Sequence, residues 1–254
     1  MVTISELLAS ECATQPEPRE SPASTVTTDA SAAAATADQS VCVASSLACS
    51  SSTVRCWVAL DRGARLAEMH GDLVLSKKWQ AIADEIKDDI CTHGVDGRGV
   101  FVQHYGGTAL DASVLLIPLV RFLPPDDPRV KATVLAIADE LTVDGMVLRY
   151  RTAETDDGLR GEEGTFTICS FWLVSALCEI GELDRGRELC EKLLSYASPL
   201  QLYAEEIDPR SGRHLGNFPQ AFSHLALINA VMHVIHAETG ITSKFSAGMA
   251  SPQP

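Results

Sequence analysis

Apolar residues recur along this chain in two patterns, and the two alternate. In the first, a single stripe runs down one helical face: Leu75, Trp79, Ile82, Ala83, Ile86 and Ile90 share a side, with Lys and Asp opposite. The same stripe returns at Val130, Val134, Ile137, Ala138 and Leu141, and again at Leu189, Cys190, Leu193, Leu194 and Ala197. Between these surface helices lie segments that are apolar nearly all round: DASVLLIPLVRFL from Asp111, TFTICSFWLVSALCEI from Thr165 and FPQAFSHLALINAVMHVIHA from Phe218. WVALDRGARLAE, from Trp57, is a more polar member of that class. A helix without a polar face must be covered on most sides, so these are inner helices. The alternation predicts an all-α chain of seven helices in two concentric layers, each hairpin giving one inner and one outer member.

The connections alternate too. Inner-to-outer loops are mostly short, as at Gly181-Glu182 and Pro124-Pro125-Asp126. Outer-to-inner loops are long and polar: THGVDGRGVFVQHYGGTAL, TVDGMVLRYRTAETDDGLRGEEG and SPLQLYAEEIDPRSGRHLGN. In a double-layered ring all of the long loops emerge at one end and face one opening. They bring Gln103, His104, Tyr105, Asp111, Arg149, Tyr150, Arg151, Glu162, Glu163, Glu205 and Glu206 toward it. Carboxylates, guanidinium groups and aromatic rings around one opening suit a polyhydroxylated ligand. Glu205 and Glu206 precede the turn signature Asp208-Pro209-Arg210-Ser211-Gly212, and Asn217 with Pro219 is expected to open the last helix. The pair reads either as a proton-transfer site or as a solvated acidic loop.

Composition narrows the choices. A net charge of −14 argues against nucleic acid as a partner, because phosphate binding is driven by Lys and Arg. The eight cysteines form no CxxC pair and no zinc spacing, which fits free thiols in a reducing cytoplasm. No run is long enough to span a membrane and no secretory signal opens the chain, so a soluble, cytoplasmic protein is expected. Residues 1–50 are rich in Ala, Ser, Thr and Pro and are expected to be a disordered tail, as are residues 241–254. The folded unit is expected over 51–240. No Gly-rich phosphate loop or nucleophile elbow is present. His233 and His236 have a ligand-like spacing but no carboxylate nearby in sequence, so neither a metal nor another cofactor is expected. His224, on an apolar helix, reads as a hydrogen-bonded core residue.

The strings CWVALDRGARLAE, YGGTALDASVLLIPLV, GLRGEEGTFTICSFWLVSALCEIGELDRGRELCEKLL and YAEEIDPRSGRHLGNFPQAFSHLALINA closely resemble the C-terminal part of glycoside hydrolase family 15. The resemblance runs over about residues 52–238. That family, of glucoamylases, glucodextranases and bacterial trehalases, implies an (α/α) six-hairpin toroid, of which this chain would hold about seven of twelve helices. It implies an inverting α-glucoside hydrolase, in which an acid protonates the glycosidic oxygen and a base activates water. The family's base motif falls on Ala204-Glu205-Glu206, which makes Glu205 the general base and Glu206 the second choice. Arg149, in VLRY, matches an arginine that holds the sugar, and Tyr105, Glu162 and Glu163 are expected to line the pocket.

The family's general acid belongs to a WE-R type motif before the Trp57 helix. Here that place reads TADQSVCVASSLACSSSTVR, with no glutamate, and Thr53 stands where the family has a lysine. The expectation is therefore a base without its acid, on trehalose or a maltooligosaccharide as substrate. The alternative is a catalytically inactive remnant that at most binds sugar or a partner chain. An open ring would also expose apolar inner helices, so self-association is expected.

Overall fold

A computed structural model of the chain describes residues 50–151 and 164–239. The expected tails, and with them Glu162 and Glu163, lie outside the described residues, except that Ser50 already opens the first helix. Seven α-helices follow one another among the described residues: α1 (Ser50–Met69), α2 (Leu73–His93), α3 (Leu116–Leu119), α4 (Pro128–Glu140), α5 (Thr167–Glu179), α6 (Leu183–Ser195) and α7 (Ala221–Thr239). Five two-residue strands lie in the loops: β1 (Thr142–Val143), β2 (Met146–Val147), β3 (Thr165–Phe166), β4 (Glu206–Ile207) and β5 (His214–Leu215). None of these helices is long and apolar enough to cross a membrane.

Outer and inner helices differ as the hydrophobic pattern predicts. In α2 only Ala83, Ile86 and Ile90 are buried, and in α4 only Val130, Thr133, Val134 and Ile137, each set a single stripe. The inner helix α5 is buried at every position from Thr167 to Leu177 except Ile168. It packs against α3, α4, α6 and α7 and is the hub of the core. A fully buried Leu or Phe contributes about 1.5–3 kcal/mol, so α5 holds the layers together. Around it Trp57 meets Phe122 edge-on at 5.0 Å, and Phe171 meets Tyr203 in the same way at 5.6 Å.

Two inner elements differ from expectation. The helix from Asp111 is not continuous: a 3-10 turn over Ala112–Leu115, whose Ser113 amide donates to Asp111 Oδ1 at 2.7 Å, runs into the single turn of α3. Pro118 has no amide to return to Val114, and Arg121, at φ 64°, leaves the helical region, so the element stops early. The last helix begins at Ala221 rather than at Asn217 or Pro219, because Asn217 is engaged elsewhere. It also has an uncovered side. α7 buries Ser223, Ala226, Ala230 and Val234, while Ile228, Met232 and Ile235 stand exposed.

Candidate active site

The strands, too short to show a period-two pattern in sequence, knit the long loops together. β3, just before α5, pairs antiparallel with β4, and β4 pairs with β5, so Phe166 lies opposite Glu206 and Glu206 opposite Leu215. An isolated bridge joins Asp111 to Tyr150, and the Ala112 amide donates to Arg149 O at 2.8 Å. Loops leading into α3, α5 and α7 thus meet at one end of the helices. The Asp208–Gly212 turn connects β4 to β5, with Gly212 donating to Asp208 O at 2.8 Å.

The segment that carries the two glutamates is bolted to the helices on both sides. Thr167, the first residue of α5, donates its amide to Glu205 O at 2.9 Å. Ser223 Oγ donates to Ala204 O at 2.9 Å, and the Gln220 amide to Tyr203 O at 2.9 Å. His224 is the hydrogen-bonded residue its apolar helix suggests. The Tyr203 amide donates to its Nε2 at 3.3 Å, which leaves the ring proton on Nδ1, 2.7 Å from Gln220 O.

Successive side chains of an extended segment point to opposite faces, and Glu205 and Glu206 accordingly have separate partners. Glu205 Oε2 accepts from the Asn217 amide at 3.2 Å and from Asn217 Nδ2 at 2.9 Å. Glu206 Oε2 accepts from the Gly164 amide at 2.9 Å. Burial pushes the Glu206 carboxyl above the ordinary range; the Gly164 hydrogen bond opposes this and the charge of Glu205 adds to it.

Arg149 is linked to Glu206 through Phe166. Its guanidinium stacks over the Tyr150 ring at 5.5 Å and the Phe166 ring at 6.0 Å, and Phe166 is the register partner of Glu206. Tyr105 is turned toward α2: its hydroxyl donates to Asp89 Oδ2 at 2.9 Å and its ring lies 5.9 Å from that of His93. Burial, then the Asp89 carboxylate, push the Tyr105 hydroxyl upward. Gln103 and Asp111 are buried and face each other at 3.4 Å. Arg151 leaves the group, donating to Glu140 O at the end of α4.

His233 pairs with Glu179 Oε1 at 3.2 Å, and Arg121 donates to the same carboxylate. Glu179 closes α5, so this ion cluster sits a full helix away from Glu205. Among the described residues no group of three His, Cys, Asp or Glu side chains could hold a metal ion. Sequence reasoning missed Asn217, Gly164 and Phe166 as neighbours of the glutamates; each lies 12 to 42 residues from its partner, where local patterns carry no signal.

Comparison with known proteins matches this architecture. The sequence pattern of "Glycosyl hydrolases family 15" fits residues 44–232. A trehalase of Mycobacterium tuberculosis is 73% identical over 202 residues, which are 80% of this chain and 29% of that protein. A trehalase of Thermoplasma acidophilum is 42% identical over 178 residues, 70% of this chain and 30% of the relative. The chain therefore spans less than a third of the length of these relatives. Among solved structures, a bacterial glucoamylase complexed with acarbose superposes with a TM-score of 0.64 at 14% identity, over 74% of this chain and 34% of that one. A glycosidase superposes with a TM-score of 0.59 at 21% identity, over 74% of this chain and 52% of its own.

Proposed function

The chain belongs to glycosyl hydrolases family 15, and from that premise we propose that it carries the general-base side of an inverting α-glucoside hydrolase of the trehalase or glucoamylase type. Glu205 is the base. Its Oε1 takes one proton of a water as the water oxygen bonds to the anomeric carbon from the face opposite the leaving group. The glycosidic C–O electron pair departs with the leaving oxygen, which takes a proton from the general acid. An inverting pair stands roughly 6.5–9.5 Å apart to admit that water. We assign the acid to none of the described residues. Arg149 holds the sugar hydroxyls; Tyr105, whose hydroxyl is engaged by Asp89, takes no part.

The observation that carries this reading is the asymmetry of Glu205. One carboxylate oxygen is held by Asn217, and among the described residues the other accepts no hydrogen bond. The Glu205 carbonyl meanwhile accepts the Thr167 amide at the head of α5, which sets this residue where the loops into α5 and α7 meet. The names of the relatives favour trehalose over maltooligosaccharides. Incubating purified chain with trehalose, maltose and maltooligosaccharides tests the reading: any glucose release should be abolished by Glu205→Gln. Turnover that survives Glu205→Gln sinks the assignment.

A second reading is a chain that binds a sugar or a partner polypeptide without turning anything over. The exposed apolar side of α7 favours it, since such a surface normally has something against it. Sugar binding by calorimetry with no glucose release from any of the three substrates would select it.

A further inference from the structure

We infer that Asn217 is the positioning residue of Glu205: by holding Oε2 it selects Oε1 as the oxygen that receives the proton of water. The inference rests on the reading of Glu205 as the base. Asn217 directs two donors, its amide at 3.2 Å and Nδ2 at 2.9 Å, at the same carboxylate oxygen. The Glu205 amide returns a bond to Asn217 O at 2.9 Å, so the two residues grip each other through backbone and side chain.

Gly216 makes that approach feasible. It sits at φ +70°, and a Cβ there would lie 2.9 Å from Glu205 Oε2 and 3.1 Å from Glu205 Cβ. The Gly216-Asn217 dipeptide is therefore a clamp shaped around one carboxylate. A carboxylate with both donors on one oxygen has fewer orientations, and the open oxygen keeps its lone pairs for water. The clamp also separates the two glutamates: Glu205 turns to Asn217, whereas Glu206 turns to Gly164 and accepts its amide.

Asparagine in a loop can equally serve only to shape the chain, and charge tells the two roles apart. Aspartate is as good a turn residue as asparagine, but here it would set a carboxylate against a carboxylate. The test places Asn217→Ser, Asn217→Ala and Asn217→Asp in the full chain, each with Glu205 and with Glu205→Gln. For trehalose or maltooligosaccharide hydrolysis, kcat should fall in the order Asn, Ser, Ala, Asp, by about tenfold for Ala and about a hundredfold for Asp, with KM within about twofold. Asn217→Asp should also lower the melting midpoint by about 2–4 °C, and by less than half as much beside Glu205→Gln. Aspartate matching asparagine in kcat, or an equal melting loss in both backgrounds, overturns the inference. A wild-type chain that turns over no sugar rules out hydrolysis by this chain alone, the outcome a base without its acid also gives. The melting cycle then decides by itself whether Asn217 holds Glu205.

Discussion

Gly164 and Glu206 are matched in shape as well as by a hydrogen bond. The Gly164 amide donates to Glu206 Oε2 at 2.9 Å, and a Cβ on Gly164 would lie 2.9 Å from that same oxygen and 3.2 Å from Leu215 Cδ1. Glycine at this point lets the backbone at Gly164 approach Glu206, and thereby helps fix where the second glutamate points.

Gly164→Ala should therefore destabilise the chain by about 1–3 kcal/mol through overpacking, read as a lower urea midpoint with an unchanged slope. Trimming the obstacle should return part of the loss. If Gly164→Ala costs the same in the wild type and beside Glu206→Ala, the two residues are not in contact in solution.

Glu179 sets an acid limit on stability. Burial raises its carboxyl, but the hydrogen bonds from His233 and Arg121 outweigh burial and pull it from the ordinary 4.5 down to about 2. A carboxyl depressed in the folded state contributes stability that is complete above its unfolded value and is lost as pH falls from about 4.5 toward about 2. Glu179→Gln should thus cost about 3 kcal/mol at pH 7 and much less near pH 2, with thermal melts across that range as the measure. A pH-independent cost would show that the ion cluster is not formed.

The exposed stripe on α7 should bring chains together. Ile228 is 59% exposed, and Met232 and Ile235 are each 43% exposed, four and seven residues further along the same face. The wild-type chain is expected to run above its 27.2 kDa monomer mass in light scattering. Ile228→Glu combined with Met232→Glu should return it to a monomer. A monodisperse wild-type monomer at high concentration would rule this out.

The layering was legible because burial on one side or on all sides leaves its mark in every turn of a helix. The stripe of α2 and the unbroken apolar run of α5 translate directly into which side chains are buried. Glu205 and Glu206 were legible from the turn that follows them and from the family strings around them. Asn217 signals a helix cap in the sequence but binds the Glu205 carboxylate in the structure, since one amide side chain serves both tasks. Pairings such as Phe166 with Glu206 were not legible at all: two-residue strands have no periodicity, and their partners come from separate hairpins. The long apolar run from Asp111 carries the helical period past Pro118, whereas the backbone, lacking an amide there, stops after a single turn.

The small sheet of β3, β4 and β5 has a consequence for how the chain acquires its site. Helical hairpins such as α1 with α2 join neighbours in sequence, whereas Thr165 meets Ile207 only across a loop of 42 residues that must first be closed. Closure of that kind waits on the helices that bring the ends together, so local structure precedes it in time. On this ground the pairing that sets Glu206 is expected to form after the helices, and a refolding chain to regain its helical signal before that pairing is complete.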